Sequence, residues 1–335
     1  MTPRTDWSEQ IAPNEDAELL RYAEILRDLQ RKHAARSGVG RALHRKGHGG
    51  VLAELRTRAD LPAPYRVGIF AAPATYRTYV RFSNGAGKDQ PDRAGDVRGI
   101  ALKIVGVPGK KLIPGLEDAR THDLLLIKSA STPFRDAGEF VGVVQAANNP
   151  LHLFPLMFRL GPGRVLGLLK KLTAGLKEPV SSMATLRYWS ALPTRYGDYA
   201  ARWSLTPVGA APGAKADSLR GDLEARLAAG PLRFTLSAQL YVDPVKTPIE
   251  DASVDWDESV SPFVAIADLE IPQHDPHGER ARTIDAFVEK LSFDPWHAPV
   301  EFRPLGNMMR ARNHAYRLST MERGAAPEPD GAETF

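Results

Sequence analysis

A tyrosine near the end of the chain follows an arginine by one helical turn. Arg312 and Tyr316 are four positions apart, and residues at this spacing share one face of a helix. A guanidinium beside a phenolic oxygen stabilises the anionic form of that oxygen, because opposite charges attract. Tyrosine is one of the side chains that ligate haem iron, so the pair is a candidate axial-ligand site. The motif alone is equally compatible with an ordinary surface pair that has no chemical role.

A histidine beside a glycine-rich turn is the second candidate. His44 lies in the segment Arg41-Ala-Leu-His-Arg-Lys-Gly-His-Gly-Gly, directly before a predicted strand. Because glycine has no Cβ, the backbone of this segment can approach a planar ligand closely. A histidine there can accept and return a proton near neutral pH. His48 is the next candidate for this role, and the simpler alternative is that His44 is only a turn residue.

Two further segments carry arginines at the ends of predicted strands. Arg81-Phe-Ser83 ends one strand, and Asp96-Val-Arg-Gly-Ile-Ala-Leu-Lys103 opens the next.

Hydrophobic periodicity predicts the elements that would position these residues. Apolar residues recur at helical spacing over residues 15–35. Short runs rich in branched residues predict strands at 51–57, 77–83, 99–107, 123–128, 232–242 and 264–271. Helices are predicted at 218–229, 283–291 and 308–322. A helical arm, a β-rich centre and C-terminal helices together indicate an α+β protein with a barrel at its core.

Taken together, the four segments resemble the catalase superfamily, and they occur in the order that the family shows. Its members carry Arg-x-x-His-Ala-x-Gly, Arg-Phe-Ser and Arg-Gly-Phe-Ala-x-Lys segments, followed by a helix with Arg-x-x-x-Tyr. The resemblance runs from about Arg41 to Arg323 and is thin between Ala146 and Val180. It implies an antiparallel β-barrel that holds haem b, with a C-terminal helix that bears the iron ligand.

The domain boundaries follow from this resemblance and from composition. We expect an N-terminal helical arm at 1–40, a catalase-like haem domain at 41–323 and a tail at 324–335. The tail is rich in Gly, Pro and Glu, which predicts disorder.

The resemblance also implies a role for each matching residue. Tyr316 would ligate the iron, with Arg312 as its partner. His44 would be the catalytic base, and Ser83 would orient its ring. Three arginines would pair with the haem propionates: Arg41, Arg81 and Arg323.

The chain departs from catalases at the second catalytic position. Catalases carry a distal asparagine before a Phe-Phe-Ile-Arg-Asp strand, whereas the equivalent stretch here, Arg120 to Lys128, contains no asparagine. Thr121 falls nearest in register and is predicted to take this catalytic position, and Leu125 replaces an aromatic residue over the haem. With the short chain, these differences resemble small catalase-related proteins. They imply a haem-dependent peroxidase that cleaves the O–O bond of hydrogen peroxide or organic hydroperoxides, with weak or no catalase activity.

Two alternatives to a peroxidase stay open. A fatty-acid hydroperoxide isomerase or lyase would use the same residues and need no outside reductant. A non-catalytic haem-binding protein would need Tyr316 and the propionate arginines but neither His44 nor Ser83. The presence of both residues therefore favours an enzyme.

An apolar stretch with interspersed cations is unlike catalases. Residues 151–177 are rich in Leu and Phe and contain five basic residues: Arg159, Arg164, Lys170, Lys171 and Lys177. The simplest interpretation is a helical insertion packed on the barrel. The alternatives are a channel mouth for a fatty acyl hydroperoxide and a helix that makes weak contact with a membrane surface.

Composition excludes several other classes. The 335 residues include no cysteine, which rules out disulfides, thiolate ligation of haem and iron–sulfur clusters. A net charge of +4 without a nucleic-acid-binding motif argues against nucleic acid as a partner. The polar N-terminus lacks an apolar signal core, so a cytoplasmic protein is expected. By analogy with catalases, we expect a homo-oligomer.

Overall fold

Nine β-strands form a single antiparallel sheet in the part of the chain that the computed structural model describes, residues 1–177, 179–209 and 218–335. The strands are β1 (Gly47–Thr57), β2 (Thr75–Asn84), β3 (Arg98–Val105), β4 (Thr121–Ile127), β5 (Tyr188–Trp189), β6 (Thr194–Tyr196), β7 (Tyr199–Val208), β8 (Leu232–Leu240) and β9 (Val264–Ile271). Over the same residues the α-helices are α1 (Glu15–Ser37), α2 (Ala137–Asn148), α3 (Leu153–Leu160), α4 (Pro162–Lys177), α5 (Leu219–Ala229), α6 (Glu279–Lys290) and α7 (Asn307–Arg323).

Eight of these strands close into a barrel. The strand order is β5-β4-β3-β2-β1-β9-β8-β7-β6, and an additional pairing of β5 with β7 joins the two ends. At this seam Tyr188 pairs with Leu205 and Trp189 with Ser204. Strand β6 is not part of the closed barrel and pairs with the first residues of β7. An open sheet edge carries a row of unpaired backbone N–H and C=O groups, and closure of the barrel pairs most of them. The α+β fold with a barrel at its core, expected from the sequence, is confirmed.

Side chains alternate between the barrel interior and its outer surface along each strand, because successive side chains of a strand point to opposite faces. In β2, Val80 and Phe82 belong to the main hydrophobic core, whereas Arg81 and Ser83 have the opposite parity. Ile100 and Leu102 of β3 are likewise interior. The odd-numbered residues of β2, β3 and β4 therefore form one outer surface, and the candidate residues of these strands lie on it.

The N-terminal arm packs directly on helices α2 and α7 of the region 41–323. Leu19 and Tyr22 of α1 form a cluster with Val141 of α2 and partly buried residues of α7. Arg310 of α7 forms ion pairs with carboxylates of the N-terminal region and of a loop, which fix α7 against α1: Glu9, Glu15 and Glu250.

Residues 324–335 pack against the protein, so the prediction of a disordered tail does not agree with their contacts. The Glu328 carboxylate accepts hydrogen bonds from Lys103 Nζ at 2.6 Å and Thr121 Oγ1 at 2.6 Å. Burial alone would raise the pKa of Glu328, but neighbouring positive charge, chiefly that of Lys103, and the hydrogen bonds from Lys103 and Thr121 together outweigh it and hold that pKa at about 2. Lys103 has no exposed surface and pairs with two carboxylates, Asp123 of β4 and Glu328 of the tail, because a buried cation requires anionic partners. The Glu328 contacts hold this Gly- and Pro-rich segment against the barrel.

Most predicted elements are confirmed, and the exceptions lie between residues 137 and 208. The sequence pattern gave no indication of strands β5, β6 and β7. In β7 the charged Arg202 interrupts the apolar pattern that marks a buried strand. Its side chain is nevertheless buried, with the guanidinium carbon 4.7 Å from the centre of the Trp256 ring. In the described ranges, every helix is too short or too polar to cross a lipid bilayer.

Candidate functional site

A cavity of about 250 Å³ lies where the outer surface of strands β2, β3 and β4 meets helices α1, α2 and α7. Its walls are mostly apolar, and the described lining residues include no aspartate, glutamate or asparagine. Seven of the site residues predicted from sequence line it: Arg41, His44, Arg81, Ser83, Arg312, Tyr316 and Arg323. The fold thus brings residues from the two ends of the chain into one place.

His44 is held in an unusual backbone conformation. Its φ angle is +55°, a left-handed value that few residues other than glycine adopt. The His44 N–H donates to the Gly85 carbonyl at 3.0 Å, and the His44 carbonyl accepts from Arg81 Nη1 at 2.9 Å. Such backbone conformations persist when surrounding contacts enforce them, and they cluster at functional sites.

The His44 ring is oriented by a serine. Nδ1 of His44 lies 3.0 Å from Oγ of Ser83, as the sequence predicted for this pair. When Nδ1 carries the hydrogen and donates it to Ser83, the other ring nitrogen, Nε2, keeps a free lone pair. Ser83 is buried on β2, so the hydroxyl has a fixed position.

The surroundings of His44 favour its neutral form. Burial lowers the pKa of His44 to about 3, and the positive charges of Arg81, Arg312 and Arg41 act in the same direction. A neutral imidazole is the form that accepts a proton, so His44 is available as a base throughout the neutral pH range.

Gly99 of β3 is a site residue that sequence analysis did not single out. It pairs across the sheet with Ser83, and the His44 ring lies directly over it. A Cβ atom added at Gly99 would lie 2.7 Å from Cε1 of His44, closer than such atoms approach in proteins. Only glycine leaves room for the ring in this orientation.

We expect Gly99→Ala to slow reaction with a hydroperoxide by up to roughly a hundredfold, because a displaced general base reacts poorly. The matched control is Gly230→Ala, since an added Cβ there meets no atom within 4 Å. Rapid-mixing kinetics with a hydroperoxide would measure both variants. Native rates for Gly99→Ala would show that the ring does not depend on this glycine.

Tyr316 and Arg312 form the contact that their spacing predicts. Both lie on α7, and Arg312 Nη2 donates to the Tyr316 hydroxyl oxygen at 2.7 Å. The guanidinium carbon of Arg312 lies 5.0 Å from the centre of the Tyr316 ring. The positive charge therefore contacts both the oxygen and the face of the ring, an arrangement that stabilises negative charge on the phenolic oxygen.

A cluster of three arginines occupies one end of the cavity. Arg81 donates to the Glu289 carboxylate through Nε at 2.8 Å and Nη2 at 3.0 Å. Arg41 forms an ion pair with the same carboxylate. Arg323 donates to the backbone carbonyls of Lys290 and Leu291, at 3.1 and 3.0 Å.

The charges of this arginine cluster do not balance. Three guanidinium groups lie around one carboxylate, that of Glu289. Burial lowers the pKa of Arg41 to about 9, and repulsion from Arg81 contributes in the same direction. An anionic ligand at this end of the cavity would offset the excess positive charge, and carboxylates suit the arginine fork.

Thr121 does not line the cavity, so its predicted role next to His44 is not supported by its position. Its parity along β4 places it on the same outer surface as Leu125, which does line the cavity. However, Ile127 pairs with Gly99 beside His44, whereas Thr121 pairs with Val105. Six residues of strand separate the two ends, roughly 20 Å. The Thr121 hydroxyl instead donates to Glu328.

Two other candidates from the sequence also lie elsewhere. His48 is buried, and its Nε2 lies 2.7 Å from Oδ1 of Asn84, away from the residues that line the cavity. Residues 151–177 form α3 and α4, and no described residue of these helices lines the cavity. Both are helices, and α3 packs against α2 and against α4, whereas the simplest interpretation expected packing on the barrel. Several of their large apolar side chains face outwards.

The cavity also contains residues that local sequence patterns did not reveal. Tyr22 and Gln30 of α1 line it, although the arm was expected to be a separate segment. Glu289, which holds Arg41 and Arg81, lies on α6. The helical pattern of α1 was visible in the sequence, but its docking site was not, because docking depends on contacts distant along the chain.

Comparison with known proteins agrees with this fold. No known family profile matches the chain. A protein named catalase-related peroxidase from Mycolicibacterium paratuberculosis is 28% identical over 311 residues, which cover 86% of this chain and 92% of that protein.

Three solved catalase structures have the same fold. A bacterial catalase superposes with a TM-score of 0.61 at 16% identity, over 88% of this chain and 59% of its own. A fungal catalase superposes with a TM-score of 0.62 at 18% identity, over 89% of this chain and 63% of its own. Catalase A from Saccharomyces cerevisiae superposes with a TM-score of 0.64 at 12% identity, over 96% of this chain and 67% of its own. This chain thus spans less than two thirds of the bacterial and fungal catalases.

The barrel, its flanking helices and the cavity beside it define a catalase-like fold. The chain is thus similar in sequence to the mycobacterial catalase-related peroxidase and shares its fold with the three catalases.

Proposed function

We propose that this protein is a haem-dependent peroxidase that cleaves the O–O bond of hydroperoxides. The observation that carries the proposal is one cavity that contains both the His44–Ser83 pair and the Arg312–Tyr316 pair. A proton acceptor and an oxygen ligand with a stabilising cation are the two kinds of group that haem peroxide chemistry requires.

The side chains of the cavity fit haem b. Tyr316 would ligate the iron, and Arg312 would donate a hydrogen bond to its phenolic oxygen. The apolar walls suit a macrocycle, and the excess positive charge of Arg41, Arg81 and Arg323 suits its two propionates. The described residues contain no cluster of three or more His, Asp or Glu side chains that would suit a different metal.

The protein's own contribution to the reaction is proton transfer and charge placement. When bound, haem supplies the iron that takes up the hydroperoxide and the redox chemistry of O–O cleavage. Nε2 of His44 accepts the hydroperoxide proton and returns it to the leaving oxygen, so that water or an alcohol departs uncharged. Ser83 holds the ring in position through Nδ1, and Gly99 leaves space for it.

The composition of the cavity favours organic hydroperoxides over dismutation of hydrogen peroxide. The distal asparagine of catalases has no counterpart among the described lining residues. Leu125, Phe140 and Leu192 line the same cavity and offer apolar surface to an alkyl chain. We therefore propose weak or no catalase activity.

A fatty-acid hydroperoxide isomerase or lyase is the second candidate, and the apolar walls favour it equally. Such an enzyme rearranges the substrate and consumes no external reductant. Analysis of the products with and without an electron donor separates it from a peroxidase. A haem carrier is less well supported, because it would not require the constrained backbone of His44 and its Ser83 contact.

We expect kcat/KM for a long-chain organic hydroperoxide to exceed that for hydrogen peroxide, with slow oxygen release. Burial of each methylene contributes about 0.8 kcal/mol. A chain that buries four methylenes gains roughly 3 kcal/mol, about a hundredfold in affinity. Steady-state assays of haem-loaded protein with both substrates measure the difference.

The control for this preference is a short-chain hydroperoxide, which should fall between the two substrates. Rapid oxygen evolution from hydrogen peroxide, without turnover of the long-chain substrate, would make the protein a small catalase. Absence of a haem absorption band after incubation with haem would contradict the proposed function itself.

A further inference from the structure

The helical insertion formed by α3 and α4 exposes an unusual amount of apolar surface. We define the insertion patch as its exposed large apolar residues: Leu151, Phe154, Met157, Phe158, Leu166 and Leu169. Phe158 is 96% exposed and Phe154 is 72% exposed. Isolated exposed apolar residues are common, but six within nineteen residues on neighbouring short helices are a candidate interaction surface.

The helices of the insertion are apolar on more than one side. Leu156 of α3 and Val165 and Leu168 of α4 are buried against the protein. A helix in a globular protein normally has one apolar side facing the core and one polar side facing water. Here the outward side also carries Phe and Leu, so packing within the chain does not account for it.

The charges around the insertion patch are of one sign. From Phe140 to Lys177 the sequence contains five basic residues and no aspartate or glutamate, and one of the five, Arg164, is ion-paired with Glu139 of α2. Lys170 and Lys171 are exposed on α4 next to Leu169. This positive charge attracts an anionic surface and disfavours pairing of the patch with the same patch of a second copy.

We propose that the insertion patch docks on the surface of an anionic lipid bilayer. Phe154 and Phe158 enter the boundary between headgroups and acyl chains, and Lys170 and Lys171 contact the lipid phosphates. This combination of apolar side chains and lysines on short surface helices is that of interfacial membrane-binding helices.

The insertion is connected to the wall of the cavity. Leu156 packs against Gly142 of α2, and Arg159 reaches the Tyr22 hydroxyl at 3.4 Å. Tyr22 lines the cavity together with residues of α2. Docking would therefore bring the α1–α2 side of the cavity towards the bilayer. Delivery of a lipid hydroperoxide from the membrane rests on the proposed function, but docking itself does not.

Vesicle flotation tests the docking without any measurement of activity. The full-length protein is mixed with vesicles of phosphatidylglycerol and phosphatidylcholine, or of phosphatidylcholine alone, at low and high salt. We expect binding to the anionic vesicles that weakens with salt, because screening reduces attraction between exposed charges.

Two pairs of variants locate the contact. Phe154→Ser with Phe158→Ser should weaken binding at least about tenfold, because each phenyl ring loses burial in the bilayer. Lys170→Gln with Lys171→Gln should weaken it roughly fivefold for each lysine. The matched control for the phenylalanine variants is Val245→Ser, because Val245 is 81% exposed and lies outside the insertion. The matched control for the lysine variants is Lys88→Gln with Lys246→Gln, two exposed lysines outside the insertion. These should bind like the native protein.

Three outcomes would overturn the proposal. The first is no binding to anionic vesicles at low salt. The second is equal loss of binding in the insertion variants and the controls. The third concerns the double variant Phe154→Ser with Phe158→Ser. If it binds vesicles like the native protein but changes from oligomer to monomer in size-exclusion chromatography, the patch is a subunit interface. Native circular dichroism of each variant ensures that lost binding is not lost folding.

Discussion

His44→Ala is expected to slow the reaction of the haem-loaded protein with a hydroperoxide roughly 10²–10⁴-fold, the usual contribution of general acid–base catalysis. Haem binding should be retained, because the arginine cluster and Tyr316 are unchanged. Rapid-mixing absorption spectroscopy gives the rate constant, and a haem titration gives the affinity. A selective loss of rate identifies His44 as the proton acceptor.

The pH dependence of the native protein provides a second test of His44. With a pKa lowered to about 3, His44 stays neutral as the pH falls from about 8 to about 5. The rate constant should therefore stay flat over this range. An unperturbed histidine, with a pKa of about 6.5, would lose its basic form there, and the rate would fall.

His48→Gln is the matched control for His44→Ala. Glutamine can keep the hydrogen bond to Asn84, and His48 lies outside the cavity, so the rate should stay native. If instead His48→Gln is slow and His44→Ala reacts at the native rate, the proton acceptor is not His44.

Tyr316→Phe is expected to weaken haem binding by more than roughly a hundredfold. Partners that only orient a metal ligand usually contribute 10–100-fold to metal affinity, and loss of the ligand itself exceeds that. By the same comparison, Arg312→Ala should weaken haem affinity by roughly 10–100-fold, because it removes the hydrogen bond at 2.7 Å but keeps the phenol of Tyr316. Titration followed by absorption spectroscopy measures both affinities and reports loss of the tyrosinate-ligated spectrum.

Tyr22→Phe is the control for Tyr316→Phe, since Tyr22 lines the same cavity and the substitution removes the same hydroxyl group. Its haem affinity and spectrum should be native. An unchanged spectrum in Tyr316→Phe would remove Tyr316 as the ligand, whatever the activity of the variant.

The sequence indicated most of the candidate site through its resemblance to catalases, and local rules agree with parts of it. The spacing of Arg312 and Tyr316 predicts one helical face, and their side chains do meet. Alternation along β2 gives Arg81 and Ser83 a common outer face, on which both line the cavity. The interaction of His44 with Ser83 followed from resemblance to catalases, since 39 positions separate the two.

Other features could not follow from local patterns. Glu289 is an ordinary charged residue of α6 until the fold brings Arg41 and Arg81 to it. Gly99 differs from other glycines of the chain because the His44 ring rests on it. The outward direction of Phe158 depends on which side of α3 packs against α2.

The sequence by itself determined periodic and near-neighbour properties: the helix that carries Tyr316, the parity of Ser83, and the α+β class. Tertiary structure decided what depends on residues far apart along the chain. Thr121 and Leu125 share one face of β4, yet only Leu125 meets the cavity, because the pairing of β3 with β4 sets which end lies beside His44. The tail packs against the barrel through Glu328, which shares the buried Lys103 with Asp123. Parity and helical spacing act over a few residues, whereas strand register and burial of charge act across the whole fold.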